Sequence, residues 1–252
     1  MANEKHFTFV AVSKDGKYLL KEEDIEKASK EFPNITFDRF ENKNNEKLTT
    51  IYNSFLSKVR EDRTEDYLIL MHSDVRIDLA HLMNHIIEVE GKYDILGLCG
   101  TRELDCSASP LNWFTGSHTR PKARYGTVYH GELGNQCSIY NDRFPNVKDI
   151  DVACIDGLCI IFTRKALYES DIRFDERFMF DQYDTDLSLE ATINKKLRLG
   201  IIVEPSLQHF SVGKSIIQKK FLVGEIELRK KWSLSFPKKL LERLNVVGEK
   251  KS

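Results

Sequence analysis

Five apolar residues in a row, Tyr67-Leu68-Ile69-Leu70-Met71, run straight into three polar ones, His72-Ser73-Asp74. A continuous apolar stretch of this length suits a strand covered on both faces, and such strands belong to mostly parallel sheets with helices packed over them. The polar triplet then sits at the end of a buried central strand, the expected place for a functional site.

The flanking segments supply the helices that such a sheet needs. Leu48, Ile51, Tyr52, Phe55, Leu56 and Val59 recur at helical spacing and share one face. Asp78 is placed to cap a second helix, whose Leu79, Leu82, Met83, Ile86 and Ile87 repeat the pattern until Gly91 stops it. Residues 7–12 and 35–40 read as strands with a short helix over 22–32 between them, and residues 94–99 read as another strand. Further on, residues 155–162 form an apolar strand and residues 163–168 turn into a helix. A helix over 185–199 is ended by Gly200, and a last strand over 201–203 is stopped by Glu204-Pro205. Strands alternating with helices predict an α/β sheet. Residues 101–149, rich in Gly, Pro, Asn and aromatics and without a period, read as loops or an inserted subregion suited to an acceptor-binding surface.

Length and charge narrow the function. The 252 residues hold one sizeable domain and a tail. The 38 Lys and Arg nearly balance the 39 Asp and Glu, but the segment after residue 211 is strongly basic and leaves an acidic body. An acidic body suits a cation site and argues against a nucleic-acid partner. No apolar run reaches the roughly 18 residues of a membrane span, and residues 7–12 are too short for a signal-peptide core, so the cytoplasm is the expected location. The five cysteines, an odd number without zinc-type spacing, read as reduced and mostly buried thiols.

Three clusters could carry chemistry. His72-Ser73-Asp74 offers imidazole and carboxylate to a divalent cation, with a helix-capping turn as the competing reading. The segment 174–187 packs Asp175, Glu176, Asp181, Asp184 and Asp186 among phenylalanines. A carboxylate there could take the proton of an acceptor hydroxyl, or could simply cap the helix beginning near Thr185. His209, just past the last strand, could complete a cation sphere begun by Asp74, or serve as an ordinary packed histidine.

In order along the chain, Tyr52-Asn53, Tyr67 to Val75, Asp156-Gly157, Phe174 to Phe178, Tyr183-Asp184-Thr185-Asp186-Leu187, Gly200 and His209-Phe210-Ser211-Val212-Gly213 resemble family-2-type glycosyltransferases. The subgroup with a His-x-Asp metal motif is the nearest, and the likeness covers about residues 7–215. The resemblance implies a GT-A fold, a domain over residues 1–215 and an inverting displacement at the anomeric carbon. It also implies Mn²⁺ or Mg²⁺ on the diphosphate of a UDP- or GDP-sugar. Asp74 and His209 match the metal ligands, with His72 standing where the first aspartate of the motif falls. Asp184 matches the general base, and Tyr183 stands where many relatives have glutamate. Ser13, Glu41 and Asn53 are candidates for donor contacts, and Asp156 for the donor or acceptor; each competes with a turn, capping or buried-carboxylate reading. The expected activity is sugar transfer to a glycan or lipid-linked acceptor in surface polysaccharide synthesis. A catalytically silent nucleotide-sugar-binding or partner-binding domain is the alternative.

Residues 216–252 are expected to form a basic helical extension. Within it Phe236, Leu240, Leu241, Leu244 and Val247 gather on one side of a helix beside Lys238, Lys239 and Arg243. That face could lie on the anionic inner surface of a membrane, pack on the domain itself, or join two subunits as a homodimer.

Overall fold

The computed structural model describes residues 4–107, 124–131, 136–139, 147–204, 207–210 and 219–235. Its first half runs β1 (Phe7–Ser13), α1 (Glu22–Ser29), β2 (Ile35–Glu41), α2 (Leu48–Asp62), β3 (Tyr67–His72), β4 (Val75–Arg76), α3 (Leu79–Glu88), β5 (Ile95–Gly97) and β6 (Gly100–Thr101). Four strands follow, β7 (Arg124–Tyr125), β8 (Thr127–His130), β9 (Gln136–Ile139) and β10 (Asp149–Asp151). The second half continues with β11 (Cys154–Ile155), β12 (Cys159–Thr163), α4 (Arg164–Tyr168), α5 (Tyr183–Leu189), a π-helical turn (Glu190–Asn194), β13 (Leu199–Ile202), β14 (Leu207–His209) and α6 (Lys219–Lys231).

Seven strands form the central sheet in the order β10-β13-β5-β12-β3-β1-β2. β1 pairs in parallel with β2 and β3, β13 pairs in parallel with β5, and β12 and β10 run against their neighbours. Alternate residues of β3 enter two different cores, as the pleat requires. Ile69 and Met71 join Leu79, Leu82, Met83 and Ile86 of α3 on one face. Leu68 and Leu70 join Tyr52, Leu56 and Val59 of α2 on the other. Each fully buried aliphatic side chain of this kind contributes roughly 1.5–3 kcal/mol, so both helices are held by the faces their spacing marks out.

Several boundaries differ from the sequence reading, each for a local reason. The apolar stretch 155–162 is two strands and not one, because the Leu158 amide donates to Asp156 Oδ1 (2.8 Å) in a turn between them. α5 starts at Tyr183, two residues early, and the helical path ends at Asn194. Gly200 lies inside β13 instead of ending a helix; its missing side chain makes room for the Tyr93 ring. Residues 101–149 are not all irregular, since β7 to β9 and the start of β10 lie there. The first turns of the basic extension are packed into the domain. Leu222 and Leu228 of α6 are buried, and Glu225 and Arg229 form a fully buried ion pair at 2.8 Å. The amphipathic segment from Phe236 to Val247 lies outside the described residues. No helix among the described residues is long and apolar enough to cross a membrane. Cys99, Cys154 and Cys159 are buried free thiols, and Cys106 is a half-buried one.

Candidate active site

Parallel pairing sets the C-terminal ends of the first strands side by side. Val12 is opposite His72, and Ser13 is opposite Glu41. β12 runs the other way, with Cys159 opposite Met71, so the preceding turn of Asp156, Gly157 and Leu158 reaches the same edge. The His72 amide closes this junction by donating to the Leu158 carbonyl (3.1 Å).

His209 arrives through a second, four-stranded sheet in the order β4-β14-β8-β9. β14 pairs antiparallel with β4, which puts His209 opposite Val75, and the Phe210 amide donates to the Asp74 carbonyl (2.9 Å). His209 Nε2 consequently stands 3.3 Å from Asp74 Oδ2. One ligand atom each from His72, Asp74 and His209 lies within 4.8 Å of the others. Burial pushes the Asp74 carboxyl up, but the His209 contact and the nearby imidazoles outweigh it and leave its pKa below the ordinary value. Burial, as the largest influence, holds the His72 imidazole toward its neutral form. His209 Nδ1 is buried and has no hydrogen-bond partner among the described residues. An ionised carboxylate, a neutral imidazole and an imidazole with an unfilled position fit a divalent cation, and the two nitrogen ligands match Mn²⁺ better than Mg²⁺, which takes oxygen ligands.

Asp184 lies in the first turn of α5. Its Oδ2 accepts from the Gly157 amide (3.1 Å) and its Oδ1 from the Thr185 amide (2.7 Å). Burial and the adjacent Asp156 carboxylate push its pKa up to about 7, despite those hydrogen bonds. Asp156 also acts electrostatically on His72, so it stands within reach of both halves of the site. The exposed Phe180 stacks on the His72 ring, with centroids 5.6 Å apart.

Other sequence-based candidates fall differently. Ser13 and Glu41 are at the strand edge; Ser13 Oγ donates to Asp15 Oδ1 (3.1 Å), and Glu41 pairs with Lys43 (3.1 Å). Asn53 has structural partners. Its amide donates to the Phe174 carbonyl (2.9 Å) and to Glu176 Oε1 (3.1 Å) while its Oδ1 accepts from the Phe174 amide (2.9 Å). Buried and hydrogen-bonded on both sides of its amide, it clasps the loop before α5. At Gly157 the Tyr183 phenol fills the space that a side chain would take. Asp186 is no cap, because its buried carboxylate binds Lys231 Nζ (2.8 Å) and Trp232 Nε1 (2.8 Å) from α6 and its end. The residue before α5, Gln182, has a left-handed φ of 70° and a buried amide without partners among the described residues. Neither the Gln182 conformation nor the α6 contacts have a periodic sequence signal; the tryptophan in an otherwise basic segment is the nearest to one.

Residues 27–218 match the family described as "Glycosyltransferase like family". The chain belongs to that family, and its fold is of the GT-A type, a large mixed sheet flanked by helices. Among solved structures, GalNAc-T7 crystallised with UDP, GalNAc and Mn²⁺ superposes with a TM-score of 0.50 at 9% identity, over 90% of this chain. This chain spans 48% of the length of GalNAc-T7. A197 from STIV matches with a TM-score of 0.44 at 14% identity, over 82% of this chain and 86% of its own. No curated protein is similar enough in sequence to count as a match.

Proposed function

We propose that this glycosyltransferase is metal-dependent and inverting, and that it moves a sugar from a UDP- or GDP-sugar to a hydroxyl of a glycan or lipid-linked acceptor in surface polysaccharide synthesis. The observation that carries the reading is the meeting of His72, Asp74 and His209 at the sheet edge that also holds Asp156 and Asp184. His72, Asp74 and His209 would hold Mn²⁺ or Mg²⁺, which when bound supplies charge neutralisation for the departing diphosphate.

Asp184 takes the proton of the acceptor hydroxyl as that oxygen bonds to the anomeric carbon and the bond to the diphosphate breaks. Its raised pKa suits the role, since a base is most effective with a pKa near the working pH. The amides of Gly157 and Thr185 hold its two oxygens in place for that transfer. Phe180, exposed against His72, offers an apolar face to a sugar ring. Cytoplasmic residence, with peripheral membrane contact through residues 236–252, belongs to the same proposal and rests on sequence alone. Loss of salt-sensitive binding to anionic vesicles on deleting those residues is its test.

A panel of UDP- and GDP-sugars in a thermal-shift experiment, with and without Mn²⁺, tests the donor reading. A ligand that binds only the folded state raises its apparent stability. UDP is the first choice because the GalNAc-T7 neighbour was solved with it. One nucleotide sugar should shift the transition in a Mn²⁺-dependent way, and release of the free nucleotide on adding acceptor separates an enzyme from a silent binding domain.

A further inference from the structure

A second group of metal-type ligands lies on α3, outside the site described above. His81 and His85 are one helical turn apart, their rings stacked with centroids 4.6 Å apart and their Nε2 atoms only 2.7 Å apart. A carboxylate oxygen of Glu204, just beyond β13, completes a set of three ligand atoms within 4.8 Å of one another. His85 is buried, and its Nδ1 stands 3.2 Å from Glu88 Oε2. A carboxylate only accepts, so Nδ1 must carry the proton and Nε2 the lone pair, aimed at His81. A carboxylate behind a histidine is the arrangement that orients imidazole toward a metal ion. Lys148 Nζ lies 3.7 Å from the same Glu88 oxygen.

We propose that His81, His85 and Glu204 form a second divalent-metal site, of the two-histidine, one-carboxylate composition that suits Zn²⁺ with a water in the fourth position. Two ligands on a tetrahedral zinc at about 2.0–2.1 Å stand roughly 3.3 Å apart, so the ion needs the two Nε2 atoms to part by about 0.6 Å. The exposed His81 side chain can supply that movement. Bound there, the ion ties α3 to the segment that leads from β13 to β14, the strand carrying His209. A single hydrogen bond between the imidazoles is the competing account of their approach, and it predicts no metal binding.

Zn²⁺ titrated against the full chain in competition with a chromophoric chelator separates the two. In a chain carrying Asp74→Asn and His209→Ala, which lack two ligands of the first cluster, one equivalent should still bind. Adding His81→Gln or Glu204→Gln, both exposed and outside the core, should each weaken that equivalent at least tenfold. Should the double substitution not fold, the unsubstituted chain must bind one equivalent more than its His81→Gln variant. Co²⁺ in place of Zn²⁺ should give the visible absorption of a four-coordinate ion that His81→Gln abolishes. Absence of the extra equivalent, or affinity indifferent to both substitutions, overturns the proposal.

Discussion

The Tyr183 hydroxyl stands 2.9 Å from His72 Nε2 and donates to the Gly157 carbonyl at 3.0 Å. A phenol has one proton and a carbonyl can only accept, so the proton goes to Gly157. His72 Nε2 must then donate to the Tyr183 oxygen, which leaves Nδ1 as the lone-pair nitrogen of the ring. Tyr183 thus fixes the tautomer and orientation of His72.

Tyr183→Phe should leave the Gly157 acceptor and the His72 donor unpaired in a buried setting. The expected loss is about 1–3 kcal/mol of stability in urea unfolding. Loss of an outer hydrogen bond that orients a ligand should also weaken Mn²⁺-dependent donor binding by roughly tenfold or more. A variant with unchanged unfolding and unchanged binding contradicts the assigned role.

Asp184→Asn should keep donor binding and lower kcat by roughly 10²-fold or more, the scale of a lost general base. In the unsubstituted enzyme, kcat/KM should rise with pH through about 7, where the Asp184 carboxyl ionises. Stability should run the other way. The folded pKa is raised above its ordinary value, so the folded state holds a proton that the unfolded chain releases near pH 4. That contribution is complete below about pH 4 and is lost as pH rises through about 7. Asp184→Asn, which does not titrate, should therefore lose less melting temperature than the parent between pH 5 and pH 8. Melting curves at pH 5 and pH 8 check the sign.

Much of this arrangement was legible in the sequence, and the part that was not has a physical reason. β3, α2 and α3 announced themselves because their burial repeats along many residues, and the polar end of β3 followed from that. The meeting of Asp74 with His209 depends on pairing between a two-residue strand and a three-residue strand, too short to leave a periodic trace. The position of His209 just past the last strand, together with its residue type, was the signal that raised it, and the family resemblance added to that. The loop-clasping role of Asn53 is not legible in sequence, because a buried asparagine holding a loop and one contacting a ligand look the same in one dimension. The Gly157 and Tyr183 contact joins residues in separate elements, and a glycine alone does not say what approaches it.

Lys231→Met should be strongly destabilising despite its place in what reads as a basic extension. It leaves the Asp186 carboxylate, 1% exposed, without its ion-pair partner, and only Trp232 Nε1 still donates to it from that region. Removing one side of a buried pair costs about 3–5 kcal/mol. Urea unfolding measures it, and Lys231→Met combined with Asp186→Asn should recover part of the loss. Wild-type stability in the single variant would show that α6 does not brace the base of α5.

Calorimetric titration of the nucleotide sugar selected by thermal shift, in the presence and absence of Mn²⁺, tests the central claim most directly. With His72, Asp74 and His209 as the cation site, donor affinity should depend on Mn²⁺. Asp74→Asn and His209→Ala should each reduce it at least tenfold, with the fold intact by circular dichroism. Affinity that is independent of Mn²⁺ and unchanged in both variants would contradict the account.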